Sequence, residues 1–151
     1  MSVDGMDCKI QKPSPFSPSG YSHKFKSSGL RYEIGLSLFE KKICWVNGPF
    51  PCGSHNDQKI FTSDLEQRLF CWEKVIADKG YHGVSILRNS RCNTFIKRAR
   101  ARHETINRRI KSFLCIGNTF HHKKEDHVFF FHAVAQLVQV SLETEQLLFE
   151  L

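Results

Sequence analysis

Residues 30–47, with the sequence LRYEIGLSLFEKKICWVN, decide the fold of this chain. Side chains alternate in character from residue 30 to residue 38, which is the period-2 pattern of a strand with one buried face. A second strand is predicted over 42–47 and is joined to the first by the short turn at 39–41. These two strands predict a β-sheet, and the flanking segments indicate what surrounds it.

The segments on either side add one more strand and a first helix. Residues 3–10 alternate in the same way and predict a strand at the start of the chain. Residues 11–20 contain three of the five prolines and predict an extended loop. The segment GPFPCG at 48–53 breaks the strand pattern. Asn56 then has the character of a helix N-cap, so we expect a helix over 57–70.

The second half of the chain is predicted to be mainly helical. A short buried strand is expected over 74–77, and residues 84–92 are only weakly patterned. A long basic helix follows over 93–114, and a last helix spans roughly 126–142. The order β, β, β, α, β, α, α predicts an α/β domain with a mixed sheet.

Composition narrows the class of protein. At 151 residues with 40% hydrophobic side chains, the chain is long enough for one domain with a sizeable core. The six cysteines include no C-x-x-C pair, which favours reduced thiols in a cytosolic or nuclear protein. No apolar run approaches the ~20 residues that a transmembrane helix needs.

The positive charge is concentrated in one segment. Eleven of the 22 Lys and Arg residues lie between Arg88 and Lys124, where Glu104 is the one acid. Since the rest of the chain has eleven basic and fourteen acidic residues, the net charge of +7 comes from this segment. A local basic block fits a polyanionic partner, most simply nucleic acid, although many basic surfaces are only solvated.

Four acids fall on the predicted elements in a way that is typical of a metal site: Asp4 on the first strand, Asp57 after the third, Asp78 at the end of the fourth, and Glu104 on the basic helix. Acids at strand ends and on a helix against the sheet can converge on one point. Their mutual repulsion is normally relieved by divalent cations. Two such cations can activate a water and stabilise the leaving oxygen in phosphodiester cleavage.

Each acid also has an ordinary structural role open to it. Asp4 is close enough to the start of the chain to be a frayed terminal residue. Asp57 suits the N-terminus of a helix, and Asp78 opens a turn that contains glycine. Glu104 can form ion pairs with arginine or lysine side chains one turn away. Spacing leaves these alternatives open.

Four short motifs occur in order along the chain. They are V-D-G-M-D at 3–7, G-P-F-P-C-G-S-H-N-D at 48–57, A-D-K-G-Y at 77–81, and the R-x3-E-x6-K signature of Arg100, Glu104 and Lys111. Together they resemble the catalytic domain of DDE-superfamily transposases, specifically the Harbinger-type group and its bacterial insertion-sequence relatives. The resemblance covers nearly the whole chain, including the tail with residues 147–149. Met6 stands where the family usually has Thr.

The resemblance implies a fold, an activity and a set of metal ligands. The fold is RNase H-like, and the activity is DNA endonuclease or transposase chemistry with Mg²⁺ or Mn²⁺ in a two-metal mechanism. The metal-binding acids it implies are Asp4, Asp57, Asp78 and Glu104. The catalytic triad is Asp4, Asp78 and Glu104, with Asp57 as the alternative second acid.

The resemblance also implies partners. DNA, as transposon ends or target, would contact Arg100, Arg102 and Lys111 on the basic helix, whose alternative roles are solvation or pairing with Glu104. A separate DNA-binding protein is a further expected partner, and a membrane is not. The location would be nuclear, or cytoplasmic in a prokaryote.

The chain departs from the family in two places. Residues 1–151 would be a single, partial catalytic domain, truncated at its N-terminus and without the usual N-terminal DNA-binding domain. The 25 residues between Asp78 and Glu104 are fewer than relatives carry, and residues 84–95 fit them poorly. A truncated or decayed copy is therefore expected to keep the fold. The competing hypotheses are a non-catalytic DNA- or protein-binding remnant and an unrelated small basic α/β adaptor.

Overall fold

A computed structural model describes residues 1–40, 42–83, 85–87 and 93–144 of the chain. The predicted turn residue 41, most of the weakly patterned segment 84–92 and the tail at 147–149 lie outside these ranges. Within them, no helix is both long enough and apolar enough to cross a membrane.

The described strands form one mixed sheet of five. They are β1 (Ser2–Lys9), β2 (Tyr21–Ser22), β3 (Ser27–Leu36), β4 (Ile43–Pro51) and β5 (Ile76–Ala77). Strand β3 pairs antiparallel with β1 on one side and with β2 and β4 on the other. Strand β5 pairs parallel with β1. The predicted α/β class with a mixed sheet is confirmed, and the arrangement is consistent with an RNase H-like fold.

The helices lie on both faces of the sheet. They are α1 (Asp57–Ser63), α2 (Leu65–Arg68), α3 (Asn93–Ser112), α4 (Leu114–Gly117) and α5 (His127–Thr144), with short 3-10 turns at Pro18–Gly20 and Lys124–Asp126. Alternate side chains of β1 and β3, such as Met6 and Ile34, form the main core with α3, α4 and α5. Val3 points to the opposite face, where it packs with Phe61 and Leu65 of α1 and α2.

Two predicted elements differ from the observed ones. Segment 48–53 was expected to end the strand, but β4 continues to Pro51. Gly48 has a φ of 137°, and a Cβ there would lie 2.7 Å from the Tyr32 ring, so glycine permits a bulge after which pairing resumes. The helix predicted over 57–70 is broken at Asp64, whose φ of −141° separates α1 from α2. The predicted N-cap is confirmed, since Asn56 accepts a hydrogen bond from the Lys59 amide at 2.8 Å.

An aromatic stack attaches α5 to the centre of the sheet. The rings of Tyr32 on β3 and Phe131 on α5 are parallel, with centroids 3.6 Å apart. The Tyr32 hydroxyl lies 2.8 Å from the His127 Nδ1 atom. Burial lowers the pKa of His127 to about 4, so this ring is neutral at physiological pH.

Replacing Phe131 by alanine tests the weight of this stack. Because the side chain is fully buried, we expect Phe131→Ala to lower the free energy of unfolding by about 3–5 kcal/mol. Phe129→Ala, on the same helix but 72% exposed, should change it by no more than about 0.5 kcal/mol. Urea denaturation of both variants measures the difference, and equal effects would contradict the packing described.

Candidate functional site

Asp4 is held between its own strand and α3. Its Oδ1 atom accepts a hydrogen bond from the Gly5 backbone N–H at 2.9 Å. Its Oδ2 atom accepts one from the Asn107 side-chain amide at 2.8 Å. Burial raises the pKa of Asp4 to about 6, and the negative charges of Asp57 and Asp78 act in the same direction. A carboxylate with this surrounding is costly to keep ionised and is relieved by a cation.

The pairing of β5 with β1 brings Asp78 to the same place. The parallel register aligns Val3 with Ala77. The next residues of the two chains, Asp4 within β1 and Asp78 directly after β5, are therefore neighbours across the sheet. The Arg100 guanidinium donates a hydrogen bond to the Ala77 carbonyl at 2.5 Å. This bond attaches α3 to the end of β5, next to Asp78.

Asp57 approaches from the opposite face, as the first residue of α1. A Cβ at position 5 would overlap the Asp57 Oδ1 atom, so only glycine lets this carboxylate approach the β1 backbone so closely. This overlap gives a physical reason for the Asp-Gly pair at residues 4–5. Burial raises the pKa of Asp57, while the charge of Arg31 offsets part of that rise.

Arg31 links Asp57 to a second, buried carboxylate. Its Nε and Nη2 atoms lie 2.6 and 3.0 Å from the two carboxylate oxygens of Asp7. Its Nη1 atom lies 3.5 Å from Asp57 Oδ1 and donates a hydrogen bond to the His55 carbonyl. Arg31 therefore fixes the loop before α1 against β1 and β3, and with it the position of Asp57.

Glu104 extends from the face of α3 that looks toward Asp4. The intervals of four, three and four residues from Arg100 through Glu104 and Asn107 to Lys111 put these side chains on one helical face. Glu104 is exposed. Among the described residues, no Lys or Arg nitrogen lies within ion-pair distance of it. The alternative that Glu104 is merely an intrahelical ion-pair partner therefore receives no support from the geometry.

Two clefts meet at Asp4 and Asp78. The first, of about 590 Å³, is also lined by Glu104 and by Arg100, Asn107, Arg108 and Lys111 of α3. The second, of about 640 Å³, is also lined by Asp57, Arg31 and Lys59. The three acids of the expected triad thus line one cleft, and Asp57 lines its neighbour. In the part of the chain that is described, no three His, Cys, Asp or Glu side chains are grouped tightly enough to hold a metal ion.

The chemistry of the donors fits a hard divalent cation. Carboxylate oxygens are the protein ligands that Mg²⁺ prefers, and it commonly takes only one or two of them together with substrate phosphate oxygens. The Oδ1 atom of Asn107, beside Asp4, is buried and has no hydrogen-bond partner among the described groups. Repelling carboxylates next to an unsatisfied oxygen are a suitable environment for such an ion.

Arg102 occupies a different position from the other predicted DNA-binding residues. It is only 3% exposed, and its guanidinium donates hydrogen bonds to the backbone carbonyls of Leu38, Ser37 and Glu40. Neither of the two clefts is lined by it. Arg102 therefore holds the segment after β3 against α3, and we do not include it among the DNA contacts proposed below.

Three residues at the site were not singled out from the sequence. Asn107 follows Glu104 by three residues, so the helical period alone could have identified it. Arg31 sits within a strand pattern and contacts residues distant in sequence, so no local signal marks it. Lys24, which lines both clefts, belongs to a turn without a recognisable motif.

A comparison with protein families identifies a match for most of the chain. The model for the DDE superfamily endonuclease family matches residues 3–140, which confirms the DDE-superfamily resemblance of the sequence motifs. No curated protein and no solved structure gave a match.

Because burial makes the ionised form of Asp4 unfavourable, removing its charge should stabilise the fold. Its folded-state pKa of about 6 lies above the ordinary value of 3.8. The stability that Asp4 contributes is therefore complete below pH 3.8 and is lost as the pH rises through 6. Keeping Asp4 ionised at neutral pH costs on the order of 2–3 kcal/mol, since a pKa shift of one unit corresponds to about 1.4 kcal/mol.

Accordingly, Asp4→Asn should raise the melting temperature of the metal-free protein by several degrees at about pH 7.5 and by only about a third as much at about pH 4.5. Asp126→Asn, which removes an acid outside both clefts, should give no gain at either pH. Differential scanning calorimetry distinguishes these outcomes. A loss of stability in Asp4→Asn at neutral pH would contradict the electrostatics described.

Proposed function

The chain belongs to the DDE superfamily of endonucleases, and from that premise we propose that it cleaves DNA phosphodiester bonds with Asp4, Asp78 and Glu104 as its catalytic acids. The main support for this proposal is that these three side chains, which are distant in sequence, line one cleft together with basic side chains of α3. Members of this family generally use divalent metals, and the family implies a DNA substrate.

The acids would hold Mg²⁺ or Mn²⁺ in pairs. Asp4 contributes to both clefts, so it can ligate together with Asp78 and Glu104 on one side and with Asp57 on the other. Two such ions, when bound, would supply an activated water and neutralise charge on the leaving oxygen. Asn107 and the Gly5 amide keep Asp4 oriented through their hydrogen bonds.

We assign the essential second acid to Asp78. Its side chain is exposed and lines the same cleft as Glu104. Asp57 instead lies beside Arg31, whose positive charge competes with any cation for that carboxylate. Asp57 would therefore assist at the second cleft without being indispensable.

The DNA would lie along α3. Arg100, Arg108 and Lys111 line the cleft on the same helix as Glu104, where they can contact the phosphates on either side of the bond to be cut. The substrate would be transposon ends or target DNA, with a separate protein supplying sequence recognition and the nucleus, or a prokaryotic cytoplasm, as the site of action.

A second function has one observation in its favour. Because no three potential ligands are tightly grouped among the described residues, a non-catalytic DNA-binding remnant of a transposase would fit the same fold and basic helix. The two functions differ in what divalent metals do to the protein.

The enzymatic proposal predicts metal-dependent nicking of supercoiled DNA. Mg²⁺ or Mn²⁺ should raise the melting temperature and support nicking. Asp78→Asn and Glu104→Gln should each reduce the nicking rate by about 100-fold or more, since even groups that only support metal ligands are worth about 10–100-fold. Glu125→Gln, which removes an exposed acid outside the clefts, should retain wild-type activity.

Agarose-gel assays of plasmid conversion measure these rates. DNA binding by the wild type without nicking in either metal, and without any thermal shift, would refute the nuclease and leave the remnant.

A further inference from the structure

The turn between β2 and β3 carries a basic side chain into the site. Residues 23–26, HKFK, form this turn, which no sequence motif includes. Lys24 lines the first cleft beside Asp4 and Glu104, and it also lines the second cleft beside Asp57. It therefore lies where the two clefts join.

The same turn lies close to the C-terminal half of α3. The Nζ atom of Lys111 is 5.9 Å from the centroid of the Phe25 ring, a cation–π distance. Lys111 is half-buried there. The turn therefore forms a wall of the cleft opposite the end of α3, with Lys24 on one side and Lys111 on the other.

Lys24 and Lys111 place two positive charges in the first cleft, where an anion could bind. Burial lowers the pKa of Lys111 and the charge of Lys24 lowers it further, while the charges of Asp7 and Asp4 offset part of that fall. Within the described chain, neither lysine has a carboxylate within ion-pair distance. The two lysines repel each other, and an anion between them would relieve that repulsion.

We infer that the turn 23–26 is a phosphate-binding element, in which Lys24 and Lys111 hold one backbone phosphate of a nucleic-acid strand between them. This inference rests on the proposed function and extends it, because it gives the strand a path from the first cleft into the second, past Asp4 and Asp78. Lys59, on the wall of the second cleft, lies further along that path.

A matched pair of variants in the turn tests the assignment. Lys24→Gln removes the charge that lines both clefts. Lys26→Gln removes a charge two residues away that is also exposed but lines neither cleft. Binding of a fluorescein-labelled DNA duplex is followed by anisotropy in Ca²⁺, with salt varied between about 50 and 200 mM. The slope of log affinity against log salt is negative. Lys24→Gln should make it less steep by about 0.9, the value for one phosphate contact, and Lys26→Gln should leave it unchanged.

The double variant Lys24→Gln/Lys111→Gln tests whether both lysines hold one phosphate. If they do, the loss of binding free energy is smaller than the sum of the two single losses, because the contacts are coupled. Additive losses would overturn the shared phosphate. Equal slopes for Lys24→Gln and the wild type would overturn the role of the turn, whereas a wild type without salt-dependent binding would refute the proposed function itself.

Discussion

The cost of holding a buried carboxylate at Asp4, close to Asp57 and Asp78, is the constraint on which the rest of this site depends. Burial and the charges of Asp57 and Asp78 raise the pKa of Asp4 to about 6, yet the fold keeps these acids together. Hydrogen bonds from the Gly5 amide and the Asn107 side chain to Asp4 offset part of the cost of its charge. Under the proposed function, a bound cation would relieve this cost.

The positive charges have a complementary arrangement. Side chains of α3 and Lys24 line the first cleft around the acids, while Arg31 balances the acids on the opposite face. Acids at the centre and bases at the rim would let a phosphate backbone approach ions held by the acids without meeting bare negative charge. The position of the positive charges around the acids therefore says more about function than the net charge of +7 does.

Local patterns were sufficient to predict the elements that carry the acids. Alternation identified β1 and β3, and the N-cap at Asn56 located Asp57, because these signals depend on neighbouring residues only. Three features depended on contacts distant in sequence. The bulge at Gly48 needs the Tyr32 ring beside it, the ion pairs of Arg31 need β1 and α1 together, and the burial of Arg102 needs the segment after β3. None of these has a sequence signal within its own segment.

The most direct test of the account is anomalous X-ray diffraction from crystals of the protein grown with Mn²⁺. We expect an anomalous peak bound by the Asp4 and Asp78 carboxylates, with Glu104 facing the same ion. A map in which Mn²⁺ occupies only other sites, with Asp4 and Asp78 bare, would contradict it.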